Sequence, residues 1–172
     1  LGKSVGILDF ERAATIAGAQ FPMYVGDGAL LEWALINFMF RHQVFENGYT
    51  PVIPPHLMNA ASALVHTTLP KFADDVYKIE KDDLYLIPAA EAVLVNMHRD
   101  EVIPGAELPK KYTAYTPCYR REAGSYGAKE RGLVRVHQFN KVELVRFVKP
   151  EDSWQALEEM RREAEELVES LS

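Results

Sequence analysis

Residues 113–147 read TAYTPCYRREAGSYGAKERGLVRVHQFNKVELVRF. Both flanks alternate apolar and polar residues as strands do, and the loop AGSYGAKERG between them has the glycines and charges of a turn. The spacing predicts strands over Tyr112–Arg121 and Leu133–Phe139, paired antiparallel, with Val142–Val148 continuing extended. Five cations, Arg120, Arg121, Lys129, Arg131 and Arg135, fall inside this pattern. Side chains two apart share a strand face, so Arg120 and Glu122 should look one way and Arg121 the other. By the same rule Arg135, His137 and Phe139 share a face of the return strand.

A cation, a carboxylate, a second cation and an aromatic ring on one concave sheet suit a purine nucleoside triphosphate. Guanidinium grips phosphate with paired hydrogen bonds, a carboxylate accepts from an exocyclic amine, and a phenyl ring stacks on a base. A plainer reading is also open: Arg120–Glu122 and Arg135–Glu143 as cross-strand ion pairs on a solvated sheet.

Outward from this segment, charge is unevenly distributed. The 172 residues carry a net −6, yet residues 110–149 hold ten Lys or Arg against Glu122, Glu130 and Glu143, a local +7 that leaves −13 elsewhere. The overall sign argues against a free-standing nucleic-acid binder, whereas the basic segment suits an anion-facing surface. The acidic run EEMRREAEELVES reads as a solvated helix face. With 48% hydrophobic residues the chain can bury a core of its own, and one unit spanning 1–172 is expected. Cys118, the single cysteine, cannot form an internal disulfide, and no apolar run approaches the roughly eighteen residues of a membrane span. The opening LGKSVGILDFERAA lacks the pattern of a secretory signal, so a reducing cytoplasm is the expected setting.

The remaining elements follow from periodicity. Gly26-Asp27-Gly28 hands over to a helix across Ala29–Phe45, apolar on every side, which places it in a core or against a partner subunit. Gly48 ends it, and Tyr49–Ile53 reads as a strand halted by Pro54-Pro55. Val76–Ile79 and Leu84–Ile87 form a hairpin around Lys81-Asp82-Asp83, and Ala89–Val102 reads as helix. Pro150 opens a last helix with Trp154, Leu157, Met160, Ala164, Leu167 and Leu171 on its apolar stripe. Strands joined by hairpins and flanked by helices make an α+β fold with an antiparallel sheet. Neither GxGxxG nor GxxxxGK[ST] occurs, which disfavours a parallel nucleotide-binding sheet. His137 reads as a structural histidine, Cys118 as a small strand residue, and Trp33 and Met39 as packing or dimer residues; His56, His66 and His98 do not make a zinc spacing with the cysteine.

The segment TAYTPCYRREAGSYGAKERGLVRVHQFNKVELVRF resembles motif 2 of the class II aminoacyl-tRNA synthetases, and within them of the seryl-tRNA synthetase family. GYTPVIPPHLMN resembles motif 1, GDGALLEWALINF the preceding dimer-interface helix, and LPKFADDVYKIEKDDLYLIPAAEAVLVNMHRDE the segment presenting the serine-binding loop. The resemblance runs from about Asp9 to Pro150, with motif 1 near 29–58 and motif 2 near 112–143. It implies a class II catalytic-domain fold, a homodimer, ATP and Mg²⁺ as cofactors, and serine and tRNA as substrates. It further implies that Arg120 holds the α-phosphate and the amino-acid carboxylate, Glu122 the adenine amine, Arg135 the terminal phosphate, and Phe139 the adenine ring. Glu91 and Glu143 match acidic residues of the serine pocket, and His137 matches no catalytic residue.

Three departures accompany the match. Ala89-Ala90-Glu91 stands where the family has Thr-Ala-Glu, removing a hydroxyl near the substrate. His66-Thr67-Thr68 precedes Leu69-Pro70 where the family has a glycine-rich Thr-Gly-Gln. No counterpart of motif 3, of the later Mg²⁺-holding acidic residues or of the tRNA-gripping arm follows or precedes, so metal ligands are expected outside this segment, tRNA binding by it is expected to be weak or absent, and an unpaired sheet edge is expected to promote self-association. Three functions stay open: the catalytic core of a serine–tRNA ligase, a dimeric module that keeps the ATP site without activating serine, and a relative activating another small amino acid.

Overall fold

In the computed structural model, residues 1–66, 68–123 and 132–172 are described. Helix α1 (Phe10–Ala17) is capped by the Asp9 carboxylate, which accepts from the Arg12 amide. Helix α2 (Asp27–Phe45) covers the predicted Ala29–Phe45 helix and starts two residues earlier. Its Gly28 is required: a β-carbon there would lie 2.4 Å from the Ile7 carbonyl oxygen. Strand β1 is only Thr50–Pro51, preceded by Gly48 at φ +70°, where the chain leaves the helix through the left-handed region open to glycine.

Strands β2 (Leu57–Asn59), β3 (Lys78–Ile79) and β4 (Leu84–Leu86) form a small antiparallel sheet in the order β2-β4-β3. The expected hairpin is present, with Ile79 opposite Leu84. Helix α3 (Ala60–Val65) is capped by Asn59, and helix α4 (Glu91–Leu94) is a single turn. The longer helix expected over Ala89–Val102 does not form. The Asn96 side-chain amide donates to the carbonyls of Ala92 and Ser62, 2.8 and 3.2 Å away, and turns replace the helix beyond it.

The larger sheet, β1-β5-β6, is built on β5 (Lys110–Tyr119) and β6 (Gln138–Phe147), antiparallel over ten residues from Lys110 opposite Phe147 to Tyr119 opposite Gln138. This confirms the α+β class and shifts the predicted return strand. Leu133–Val136 is not strand, and β6 instead runs from Gln138 through the stretch read as a separate extended piece. β1 adds a short parallel edge, Thr50 beside Tyr112. Most of the loop AGSYGAKERG, including Lys129 and Arg131, lies outside the described residues.

One face of β5–β6 carries Ala114, Thr116 and Cys118 opposite Glu143, Lys141 and Phe139. Ala90, Leu94, Ala114 and Val145 form one buried cluster at its inner end, while Ala92 joins Met58, Ala63, Val76, Tyr85 and Ile87 in another. The single turn of α4 is therefore wedged between two cores. The opposite face meets α2, where Trp33 packs edge-on to Tyr115 at 5.8 Å and Asn140 donates to Glu32. This places α2 on the sheet with its far side open, not inside a core: Leu30, Leu31 and Phe45 are exposed.

Helix α5 (Ser153–Glu169) follows a 3₁₀ turn begun by Pro150. Its buried face differs from the expected stripe: Trp154 is 80% exposed, and the residues turned inward include Ala156, Glu163 and Leu167. The cause is Arg146 of β6, whose side chain is 3% exposed and bonds Glu159 at 2.7 Å, Glu163, and the Tyr49 hydroxyl at 2.8 Å. A buried guanidinium needs carboxylates around it, which rotates the acidic side of α5 inward. The run read as a solvated face is thus partly structural.

Candidate functional site

The end of β5 is held from three sides. The Tyr119 amide donates to the Ile87 carbonyl at 3.0 Å, the Arg120 amide to the His137 carbonyl at 2.9 Å, and the Arg121 amide to the Asp75 carbonyl at 2.7 Å. The Asp75 carboxylate also accepts from the Ala123 amide. His137 donates from Nδ1 to the Arg120 carbonyl at 3.0 Å and packs against a tilted Phe21 ring and the edge of Tyr77, the structural role expected of it. Backbone on both sides of Arg120 is therefore fixed before any ligand arrives.

The Arg120 guanidinium lies 5.0 Å from the centre of the Phe139 ring, and its Nε donates to the Pro88 carbonyl. Glu122 and Arg135 meet at 2.6 Å between Oε2 and Nε, with Glu122 11% exposed. Glu122 has φ +53°, so it does not follow strand alternation from Arg120. The left-handed turn carries its carboxylate to Arg135, at a cost of about 1–3 kcal/mol for a residue with a β-carbon. The four residues predicted to act together do converge, lining one groove with Leu133, Val134 and Val136. The plainer reading, with Arg120–Glu122 and Arg135–Glu143 as cross-strand pairs, does not hold: Glu122 pairs with Arg135 and Glu143 with Lys141, the latter at 2.6 Å.

A second cavity, of about 250 Å³, opens on the other side of Arg120. Its walls include Phe72, Asp75, Pro88, Ala89, Glu91 and Lys141. Ala89 is buried at 3% exposure and Glu91 begins α4, so the wedge between the cores aims this segment at the cavity. Glu143 stands one step along β6 from Lys141 and is not among the lining residues. Lys141 was missed in the sequence, although it shares a strand face with Phe139 and Glu143. His66 and Thr68 also line the cavity, and only their departure from the family pattern had marked them.

Cys118 is fully buried in β5, and burial pushes its thiol above the ordinary range, which keeps it protonated and unreactive. Among the described residues no group of three or more His, Cys, Asp or Glu side chains could hold a metal ion, and no helix is long and apolar enough to cross a membrane.

The arrangement is two adjoining compartments, one lined by Glu122, Arg135 and Phe139 and the other by Ala89, Glu91 and Lys141, with Arg120 in the wall of both. Residues 75–172 match the family described as tRNA synthetase class II core domain (G, H, P, S and T). The serine–tRNA ligase of Chlorobium chlorochromatii is 57% identical over 171 residues, covering 99% of this chain and 40% of that protein. Among solved structures, the seryl-tRNA synthetase of Pyrococcus horikoshii complexed with ATP is 41% identical with a TM-score of 0.93, over 98% of this chain and 37% of that one. The cytoplasmic serine–tRNA ligase of Naegleria fowleri in complex with AMP is 29% identical with a TM-score of 0.92, over 98% of this chain and 40% of that one. The chain spans about 40% of the length of the curated relatives it matches.

Proposed function

The chain belongs to the class II tRNA synthetase core-domain family, and from that premise we propose that it carries the ATP and amino-acid sites of a serine–tRNA ligase. In this reading residues 1–172 act as one catalytic-core unit of a cytoplasmic homodimeric enzyme. The observation that carries it is Arg120, which lines both the Phe139–Glu122–Arg135 groove and the Ala89–Glu91 cavity. A reaction joining a carboxylate to an α-phosphorus needs one cation at the junction of two substrates.

ATP would lie in the groove, with adenine against Phe139, its amine toward Glu122 and its terminal phosphate toward Arg135. The amino acid would sit in the cavity, its ammonium toward Glu91, with Ala89 in the wall and Glu143 as a second acidic group beyond Lys141. The carboxylate, ionised at neutral pH, attacks the α-phosphorus in line; the bond to the bridging oxygen breaks and pyrophosphate leaves, giving an aminoacyl-adenylate. No protein nucleophile is required, so the protein contributes orientation and charge stabilisation. Transfer of the acyl group to tRNA would complete the reaction of the full-length enzyme. Mg²⁺ would enter as the ion that ATP carries; among the described residues no group of three or more His, Cys, Asp or Glu side chains is placed to hold it.

The test is ATP–pyrophosphate exchange with Mg²⁺ and each of the twenty amino acids in turn. Exchange with serine alone is the expected result. Ala89, apolar where the family has a hydroxyl, favours a second reading, a synthetase-like dimeric module with lost or altered activation. Exchange with another amino acid, or none despite calorimetric ATP binding, would replace the first reading by the second.

A further inference from the structure

Asp75 brackets Glu122 from a separate part of the chain. Its main-chain carbonyl accepts from the Arg121 amide at 2.7 Å and its carboxylate from the Ala123 amide at 2.7 Å, so one residue holds the peptide on each side of position 122. Asp75 is itself anchored. Its amide donates to the Phe72 carbonyl at 2.9 Å, and its neighbour Val76 is buried in the core cluster with Met58 and Ile87. Between the two held peptides Glu122 stands at φ +53°, a conformation that a residue with a β-carbon leaves unless its surroundings impose it. An extended Glu122 would follow strand alternation; the imposed turn brings its carboxylate to Arg135 instead.

We propose that Asp75 is a positioning residue for nucleotide-base selection: its carboxylate imposes the left-handed turn that aims Glu122 into the groove beside Phe139 and Arg135. This role presupposes the nucleotide groove proposed above, with Glu122 toward the adenine amine, and identifies what puts Glu122 there. Asp75 is not among the residues lining that groove and lies in the wall of the neighbouring cavity, so it acts through the backbone and not by contact with the base. A change of side chain at position 75 leaves the main-chain bond to Arg121 in place. Only the bond to Ala123 depends on the carboxylate. Without it the Ala123 amide loses its acceptor, the turn keeps one of its two clamps, and Glu122 relaxes toward extended backbone and away from the base.

The experiment is calorimetric titration of ATP and of purine riboside triphosphate, which keeps the ring and the phosphates but lacks the 6-amino group, with Mg²⁺ present. The wild-type chain is expected to bind ATP on the order of 10- to 100-fold more tightly than the analogue, as one hydrogen bond to a charged acceptor allows, and Glu122→Ala should bring that ratio to within about threefold. Asp75→Ala should do the same by weakening ATP alone, as should Asp75→Ser, whose oxygen falls one bond short of the Ala123 amide. Asp75→Asn, which keeps an acceptor oxygen in place, should retain most of the preference. Asp75→Ala and Asp75→Ser variants that keep the wild-type ratio, or that weaken both nucleotides equally as general loosening of the fold would, overturn the assignment and leave the groove reading intact. So does an Asp75→Asn variant as indifferent as Asp75→Ala. A wild-type chain without preference for ATP, or a Glu122→Ala variant that keeps the preference, overturns the Glu122 reading and this assignment together.

Discussion

Arg120 is the residue on which both compartments depend, because backbone bonds from His137 and Ile87 fix the strand end that carries it. Arg120→Ala should weaken ATP binding by about 2–4 kcal/mol, roughly 30- to 900-fold, with the fold unchanged. Calorimetry with circular dichroism on the same sample checks this, and unaltered nucleotide affinity would remove Arg120 from the site. Glu122 was expected on the Arg120 face by strand alternation; it reaches the groove through a left-handed turn instead. Its partner Arg135 was legible as a cation of the return segment, but the pairing depends on a bend that no two-residue period describes. Cys118 makes a simpler case. Its burial predicts that a thiol reagent such as DTNB will label the native chain at a small fraction of the rate seen in denaturant; fast native labelling would contradict the packing of β5.

Among the elements, α5 depends most on a single side chain. Removing Arg146 leaves Lys111, 3.7 Å from Glu163, as the cation beneath the helix and takes away the donor to the Tyr49 hydroxyl, so Arg146→Ala is expected to lower stability by about 3 kcal/mol, read from the shift in a urea denaturation midpoint. Tyr49 itself is held above the ordinary tyrosine range by burial and by Glu163, with Arg146 opposing. Folding thus favours its protonated form. The stabilisation is complete below the unfolded-state value near pH 10 and is lost as pH rises from there toward the raised folded value. Tyr49→Phe should flatten that alkaline loss, and an identical alkaline profile in the variant would argue that another group is responsible.

At the scale of the molecule, the exposed side of α2 is a feature without an internal explanation. Leu30, Leu31 and Phe45 are 69%, 55% and 66% exposed on a helix whose other side meets the sheet. An apolar area of this kind is expected to be covered by a second subunit. Sedimentation velocity across a hundredfold concentration range should show a dimer, and Leu31→Glu should shift it toward monomer with the secondary structure retained. A concentration-independent monomer would remove the dimer from the proposed function.

The α+β class, strand β5, helix α2 and the choice of the four residues that line one groove were legible in the sequence itself, while the return strand was placed several residues too early. Each rests on local information: alternation over ten residues, helical periodicity, or residue types whose chemistry fits only a few ligands. Only the tertiary structure decided which face of α5 turns inward, where the helix after Glu91 stops, and how Glu122 meets Arg135. In each case a distant partner overrides local pattern. The buried Arg146 draws acidic residues under the sheet, Asn96 takes carbonyls from two helices, and a left-handed turn substitutes for strand geometry. The bond from the Ala123 amide to Asp75, 48 residues apart in the chain, belongs to the same class, since hydrogen bonding across space has no period in a sequence.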